Sequence, residues 1–352
     1  MKVSKIIASG IRKIDFIEVD LPQLREKQVL VKGIVSGISH GTELSVINQT
    51  TPTFHKCWND NLRYFSDGVA SKTYPCGLGY EYVGKVVGVG KNVLDLSEGD
   101  IVWLDAPHQT FNILDINRTP YLKLNGKQDI YKAVFLALTR VALAAVHDAK
   151  PNIGDKAFVS GMGVVGLIIV QLLKTSGVNQ IFVSDLFSLR TNKAQKLGAI
   201  VFNPEKNDVG ALIKKIAQRG VDIAIECSGS LNALQDAIKA CGIGGKVITV
   251  ATYREGASQL FLGEEWHKNR VTMLSSMSVN GCPHRDYPLW DLKRLNVTAL
   301  NLLQKKTIEV ESMVTQTFDF KEAIKAYNLI QNNPEQTLKV LLKYSEDLDE
   351  NQ

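Results

Sequence analysis

The six residues Gly161-Met162-Gly163-Val164-Val165-Gly166 constrain this chain more than any other feature. An apolar run at 157–160 precedes them and a longer apolar run, 164–176, follows and stops at Gly177. The pattern predicts strand, tight turn and helix. In that setting Gly161 permits the turn, Gly163 lets backbone approach a pyrophosphate, and Gly166 lets the helix close on the strand. The helix start, with Met162, Val164 and Val165 around it, offers free N–H donors and the positive end of a dipole to phosphate. Asp185 ends the next apolar strand, 181–184, and lies 24 positions after Gly161. A carboxylate there accepts from ribose hydroxyls and repels a 2′-phosphate, which selects NAD over NADP. Arg190 is the opposing signal, because a guanidinium stacks on adenine or contacts a phosphate. The structural alternatives are an ordinary turn for Asp185 and a solvated helix position for Arg190.

After Pro151 strands and helices alternate: strands at 157–160, 181–184, 199–202, 221–226, 246–251 and 271–275, with helices at 164–176, 188–197 and 209–218. Alternation of this kind builds a parallel sheet covered on both faces. Ligands sit at the carboxyl ends of such strands, so Cys227, Ser228, Ala251 and Thr252 are candidate cofactor contacts. For Cys227 the alternative is a small buried apolar residue. Before residue 138 the texture is short β-type runs, 28–35, 83–89, 100–104 and 109–114, with an irregular stretch at 48–75. After residue 287 come a helix at 289–303, a strand at 314–318, a helix at 320–331 and a strand at 337–344. The acidic end, 345–352, carries no core-forming residues.

At 352 residues the chain exceeds one ordinary core, so two domains are expected. A net charge of +5 is spread over scattered Lys and Arg, which argues against a nucleic-acid partner. No stretch of ~20 apolar residues is present, so no membrane partner is expected. The five cysteines, Cys57, Cys76, Cys227, Cys241 and Cys282, are odd in number and widely spaced. With no secretory leader at the N-terminus, they point to a reduced, cytoplasmic setting. They contain no Cys-x-x-Cys pair, which removes cysteine-rich zinc sites.

The segments Ser36-Gly37-Ile38-Ser39-His40-Gly41-Thr42-Glu43, Gly79-Tyr80-Glu81-Tyr82-Val83-Gly84, Gly88-Val89-Gly90, Gly99-Asp100-Ile101-Val102 and Gly154-Asp155-Lys156 join the glycine turn in one pattern. The chain resembles the medium-chain dehydrogenase/reductase superfamily over nearly its whole length. The resemblance implies an α/β protein. A GroES-like β-rich catalytic domain would comprise 1–138 and 279–352, and a Rossmann doubly wound parallel-sheet domain 139–278. It also implies a homodimer or homotetramer. In relatives the sixth strand forms the dimer edge and nicotinamide pocket, which adds Ser276 to the cofactor set.

Departures from the family pattern bear on mechanism. Where zinc-dependent members carry Cys, His and a third ligand, this chain has His40 (or Ser39), Tyr80 and the ligand-free Ala137-Leu138-Thr139. The lobe holding a structural zinc in many members has no counterpart cysteines in 103–129. The chain is similar to a zinc-free subgroup with a Ser-x-x-x-Gly-Thr-Glu signature, which includes bacteriochlorophyllide dehydrogenase-type proteins. No metal is expected, and protons must then stabilise the developing alkoxide. His40, with an ordinary pKa near ~6.5, and Tyr80, near ~10, are the candidate acids, with Ser39 and Thr42 as hydroxyl relays and His108 as a further polar group. Substrate-pocket packing without proton transfer is the alternative. The resulting expectation is an NAD-dependent, zinc-independent oxidoreductase interconverting a secondary alcohol and a ketone on a small molecule. The alternatives are a C=C reductase of the same superfamily and a non-catalytic NAD-binding protein.

Overall fold

A computed structural model describes residues 1–126, 129–254, 256–277 and 290–344. The chain divides into two compact units, Met1–Ala137 with Glu311–Gln352, and Leu138–Val310. The expected return near 279, Cys282 and the acidic end all lie outside the described residues. The α/β class, with a parallel Rossmann-like sheet in one unit and a β-rich other unit, is as the sequence predicts.

In the unit Leu138–Val310 six strands run parallel in the order Ile200–Phe202, Gln180–Ser184, Lys156–Ser160, Val221–Glu226, Cys241–Thr249, Thr272–Ser275. Ala157 to Ser160 and Ile223 to Glu226 are each buried without a break, so the central strands are covered on both faces. Strand Cys241–Thr249 begins five residues before the expected 246, because Gly242, Gly244 and Gly245 hide an extended start inside a turn-like sequence. The helix Leu292–Gln304 also belongs to this unit; its Asn296 Oδ1 accepts from the buried Arg140 Nη1 at 3.2 Å. Arg140 lies in a helix, Leu136–Ala149, that the alternation does not signal: apolar residues surround it almost completely, and without a polar stripe there is no 3.6-residue period to read.

The other unit is built on a seven-stranded sheet in the order Tyr121–Lys123, Ile101–Leu104, Tyr82–Val89, Gln28–Ile38, Lys339–Lys343, Val314–Asp319, with Phe111–Asp115 also on Gln28–Ile38. All its pairs are antiparallel except Val314–Asp319 with Lys339–Lys343. Gln28–Ile38 and Lys339–Lys343 pair at Ile38 with Val340, which brings the end of the chain onto the signature segment at 36–43. The irregular stretch 48–75 contains a short hairpin, Cys57–Asn59 with Tyr64–Ser66, and is anchored where Tyr74 Oη donates to the Val46 carbonyl at 2.7 Å.

Candidate active site

The signature segment passes from strand to helix at Ser39. Gln28–Ile38 ends, Ser39 takes extended backbone angles, and His40–Ile47 is helical. Glu43, in the first turn, accepts from the Ser39 backbone N–H at 2.7 Å, which satisfies one of the donors a helix start leaves open. The Ser39 hydroxyl then meets Tyr80 Oη at 2.6 Å, and Thr42 lies beside the same phenol. Burial pushes the Tyr80 hydroxyl up, and Glu81 pushes it further, while Ser39 and Thr42 pull it back. Tyr80 therefore stays protonated at neutral pH. His40 and Tyr80 are half-buried, Ser39 is buried and Thr42 is exposed.

His108 is fully buried. Its Nε2 lies 3.2 Å from Glu43 Oε2 and its Nδ1 2.7 Å from Ser36 Oγ, which in turn meets Tyr344 Oη at 2.8 Å. Gly79 is the reason the ring fits: it holds φ +95°, and a Cβ there would stand 2.6 Å from the imidazole. Tyr327 Oη also donates to Glu43 Oε2. The fold thus brings Ser39, Thr42, Tyr80 and His108 into one network through Glu43. Sequence reasoning did not select Glu43, Tyr327, Tyr344 or Ser36 for this role, since their contacts span 65 to 308 positions.

Beneath this network Glu81 and Lys339, both fully buried, form an ion pair. Gly37 leaves the space for it, because a Cβ there would lie 2.6 Å from both Glu81 Oε2 and Lys339 Cε. Burial raises the Glu81 carboxyl to about 7, against the opposing pull of the Lys339 ammonium. Its Oε1 has no hydrogen-bond partner among the described residues. A lone lysine inside the apolar run Leu338-Lys339-Val340-Leu341-Leu342 was the available signal for this pair. A catalytic zinc needs three protein ligands and an open position. Among the described residues no group of three or more His, Cys, Asp and Glu is placed to hold a metal, and Glu81 already faces a cation. The donor set does not fit a zinc ion.

In the second unit the glycine turn follows strand Lys156–Ser160 and opens helix Val164–Thr175. Gly161 holds φ +84°, and a Cβ on it would meet the Ser228 backbone N at 2.8 Å. A Cβ on Gly166 would stand 2.0 Å from the Gly161 carbonyl oxygen, while one on Gly163 would meet nothing within 4 Å. The turn is closed on its inner side and open on its outer side, a cradle that fits a dinucleotide pyrophosphate. Val165 is half-buried at the helix start; Val164 and Met162 are buried. Met162 contributes its backbone N–H, which donates to Asp185 Oδ2 at 2.7 Å. Asp185 Oδ1 accepts from the Phe187 N–H at 2.9 Å. Arg190 stacks over the Phe187 ring at 4.8 Å with Nη1 3.9 Å from Asp185 Oδ2.

The loops at the ends of the next strands converge on the same turn. Cys227 donates its N–H to the Ser160 carbonyl at 2.9 Å, and burial beside Glu226 raises its thiol well above the ordinary range. Gly229 holds φ +77°, and a Cβ on it would stand 3.3 Å from Thr252 O and 3.4 Å from Ala251 Cβ. Ser276 is buried and its hydroxyl is committed to Asp148 Oδ2 at 2.6 Å.

Residues 164–295 match the family profile described as zinc-binding dehydrogenase. The chain is 28% identical over 349 residues to D-guloside 3-dehydrogenase of Escherichia coli, covering 96% of this chain and 99% of that one. It is also 28% identical over 281 residues to (R,R)-butanediol dehydrogenase of Bacillus subtilis, covering 71% and 78%. The solved 2R,3R-butanediol dehydrogenase from Bacillus subtilis shares the fold at TM-score 0.80 and 22% identity, covering 97% of this chain and all of that one. These relatives are dehydrogenases, and the chain is an enzyme similar to them. Among the described residues no helix is long and apolar enough to cross a membrane.

Proposed function

We propose that this enzyme interconverts a secondary alcohol and a ketone on a small polyol or sugar-derived molecule, with NAD(H) as cofactor and no metal. The observation that carries the reading is the 2.6 Å contact between Tyr80 Oη and Ser39 Oγ, at the positions that correspond, by the family resemblance, to zinc ligands in zinc-dependent members. When bound, a nicotinamide would supply the hydride acceptor for oxidation and the hydride donor for reduction. Tyr80, held protonated, donates to the developing alkoxide as a ketone is reduced. Its proton is replaced through Thr42, which lies beside Tyr80 and is exposed to solvent. His40, half-buried at the adjacent helix start, is the second polar group available to the substrate, and His108 holds Glu43 rather than the substrate.

The glycine turn would hold the pyrophosphate, and Asp185 the adenosine ribose. Asp185 uses one lone pair on each oxygen for backbone N–H groups and keeps acceptor capacity for ribose hydroxyls. Arg190 leans on Phe187 and toward Asp185, an arrangement that favours NAD over NADP. Cys227, Ser228, Ala251 and Thr252 border the same turn. The outer strand Thr272–Ser275, which among the described residues pairs only with Cys241–Thr249, exposes Met273 and Leu274, which suits pairing with a second copy in a homodimer.

Tyr80→Phe, assayed for polyol and sugar-alcohol oxidation with NAD and NADP, tests the reading. Turnover should fall by ~10²–10⁴ with NADH binding retained, the usual effect of losing a general acid. The wild type should prefer NAD, and its activity should survive chelation. Full turnover in Tyr80→Phe, or one zinc per chain whose removal abolishes activity, would overturn it.

A further inference from the structure

We propose that Glu226 and Tyr253 act together as positioning residues for the dinucleotide, a proposal that rests on the cofactor reading above. Glu226 ends strand Val221–Glu226 and is fully buried. Its Oε1 accepts from the Ser228 N–H at 2.7 Å, from the Ser228 hydroxyl, and from Ser160 Oγ at 3.4 Å. Its Oε2 accepts from Tyr253 Oη at 2.7 Å, and the Gly229 N–H lies 3.1 and 3.2 Å from the two oxygens. Each of these neighbours is a donor, so both oxygens act only as acceptors.

These donors come from three places in the sheet. Ser160 ends the strand that leads into the glycine turn, Ser228 and Gly229 form the loop after the neighbouring strand, and Tyr253 lies in the loop after the strand beyond that. One carboxylate therefore ties together the carboxyl ends of three adjacent parallel strands, which is where a doubly wound sheet takes its ligand. The tie has a steric consequence, since Ser228 N stands 2.8 Å from the position a Cβ would occupy on Gly161. Loop 227–229 thus sets one wall of the pyrophosphate turn, and Tyr253 fixes the loop carrying Ala251 and Thr252 against it. Burial and the Glu226 charge both raise the Tyr253 hydroxyl, so it remains a donor at every working pH.

A wall fixed before the ligand arrives lowers the ordering cost of binding. Removing the Tyr253 hydroxyl leaves Glu226 and its backbone donors in place but frees loop 251–253. The effect belongs mainly to nucleotide affinity, which separates it from a general loss of folding.

The experiment is NADH fluorescence titration and steady-state kinetics on the wild type, Tyr253→Phe and Glu226→Gln. Tyr253→Phe should weaken NADH binding by on the order of tenfold, the scale of one hydrogen bond to a carboxylate, and raise KM for the nucleotide more than it lowers kcat. Glu226→Gln, which keeps the volume but turns one oxygen into a donor, should weaken binding further. Wild-type affinity in both variants would overturn the positioning role while leaving the cofactor reading intact. A wild type that binds neither NADH nor NADPH would overturn both.

Discussion

Two buried carboxylates, Glu81 in the β-rich unit and Glu226 in the parallel-sheet unit, solve the same problem in opposite ways. Both are fully buried. Glu81 faces one full cation, Lys339, and keeps an oxygen without a hydrogen-bond partner among the described residues. Glu226 forms no ion pair among the described residues and is cradled by N–H and hydroxyl donors on both oxygens. A single cation compensates charge strongly but all at once, so its loss leaves a bare buried ion. A cradle spreads the compensation, so each donor is worth less and none is indispensable. Glu43 stands between them, with an imidazole, a phenol and a backbone N–H.

The sharpest break of this contrast is Lys339→Met. It should cost ~3–5 kcal/mol at pH 8, the range found when one partner of a buried pair is removed, measured by urea unfolding. The pH dependence identifies the group responsible. In the wild type Glu81 titrates at about 7 folded, above the ordinary value of 4.5 that the unfolded chain shows. Between those values the folded state binds more protons, so this group's contribution to stability falls as pH rises. Without Lys339 the carboxyl shifts higher still, and the gap between wild type and variant should therefore narrow as pH drops from 8 to 5. A gap that stays constant across that range would show that Glu81 is not the uncompensated charge.

Tyr327→Phe probes the intermediate case. Glu43 Oε2 loses the phenol but keeps His108 Nε2 at 3.2 Å, so the cost should be about 1.5–3 kcal/mol, the worth of one hydrogen bond to a charged acceptor. Thermal unfolding reads it directly. A loss as large as that of Lys339→Met would place Glu43 with the single-partner carboxylates and collapse the graded series.

How much of this was legible in the sequence follows from the range of each interaction. The glycine turn, Asp185 and the alternating strands are local patterns, and the parallel sheet could be read from them. Ser39, Thr42 and Tyr80 carried a motif, and the fold joins them within hydrogen-bond reach. The carboxylate partners were not legible in the same way. Glu43 meets His108 across 65 positions and Tyr327 across 284, and Glu81 meets Lys339 across 258. Those distances are set by strand order, with Gln28–Ile38 lying between Tyr82–Val89 and Lys339–Lys343, which no local period encodes. The helix Leu136–Ala149 escaped for the opposite reason: burial on nearly all sides removed the period itself.

The smallest effect belongs to Ser160→Ala, and it tests the distributed side of the comparison. The Ser160 hydroxyl is buried and reaches Glu226 Oε1 only at 3.4 Å, a long contact, while the Ser228 N–H holds the same oxygen at 2.7 Å. Removing the hydroxyl leaves the shorter bonds intact and substitutes a methyl group of similar fit, so the expected cost is about 0.5–1 kcal/mol. The backbone bond from Cys227 to the Ser160 carbonyl is untouched by the change. Urea unfolding with an unchanged m-value is the measurement, because a shifted slope would report a rearranged chain rather than one missing donor. A cost above ~2 kcal/mol, the penalty of a buried acceptor left unsatisfied, would mean that the donors around Glu226 are not redundant. The carboxylate would then depend on single partners, as Glu81 does.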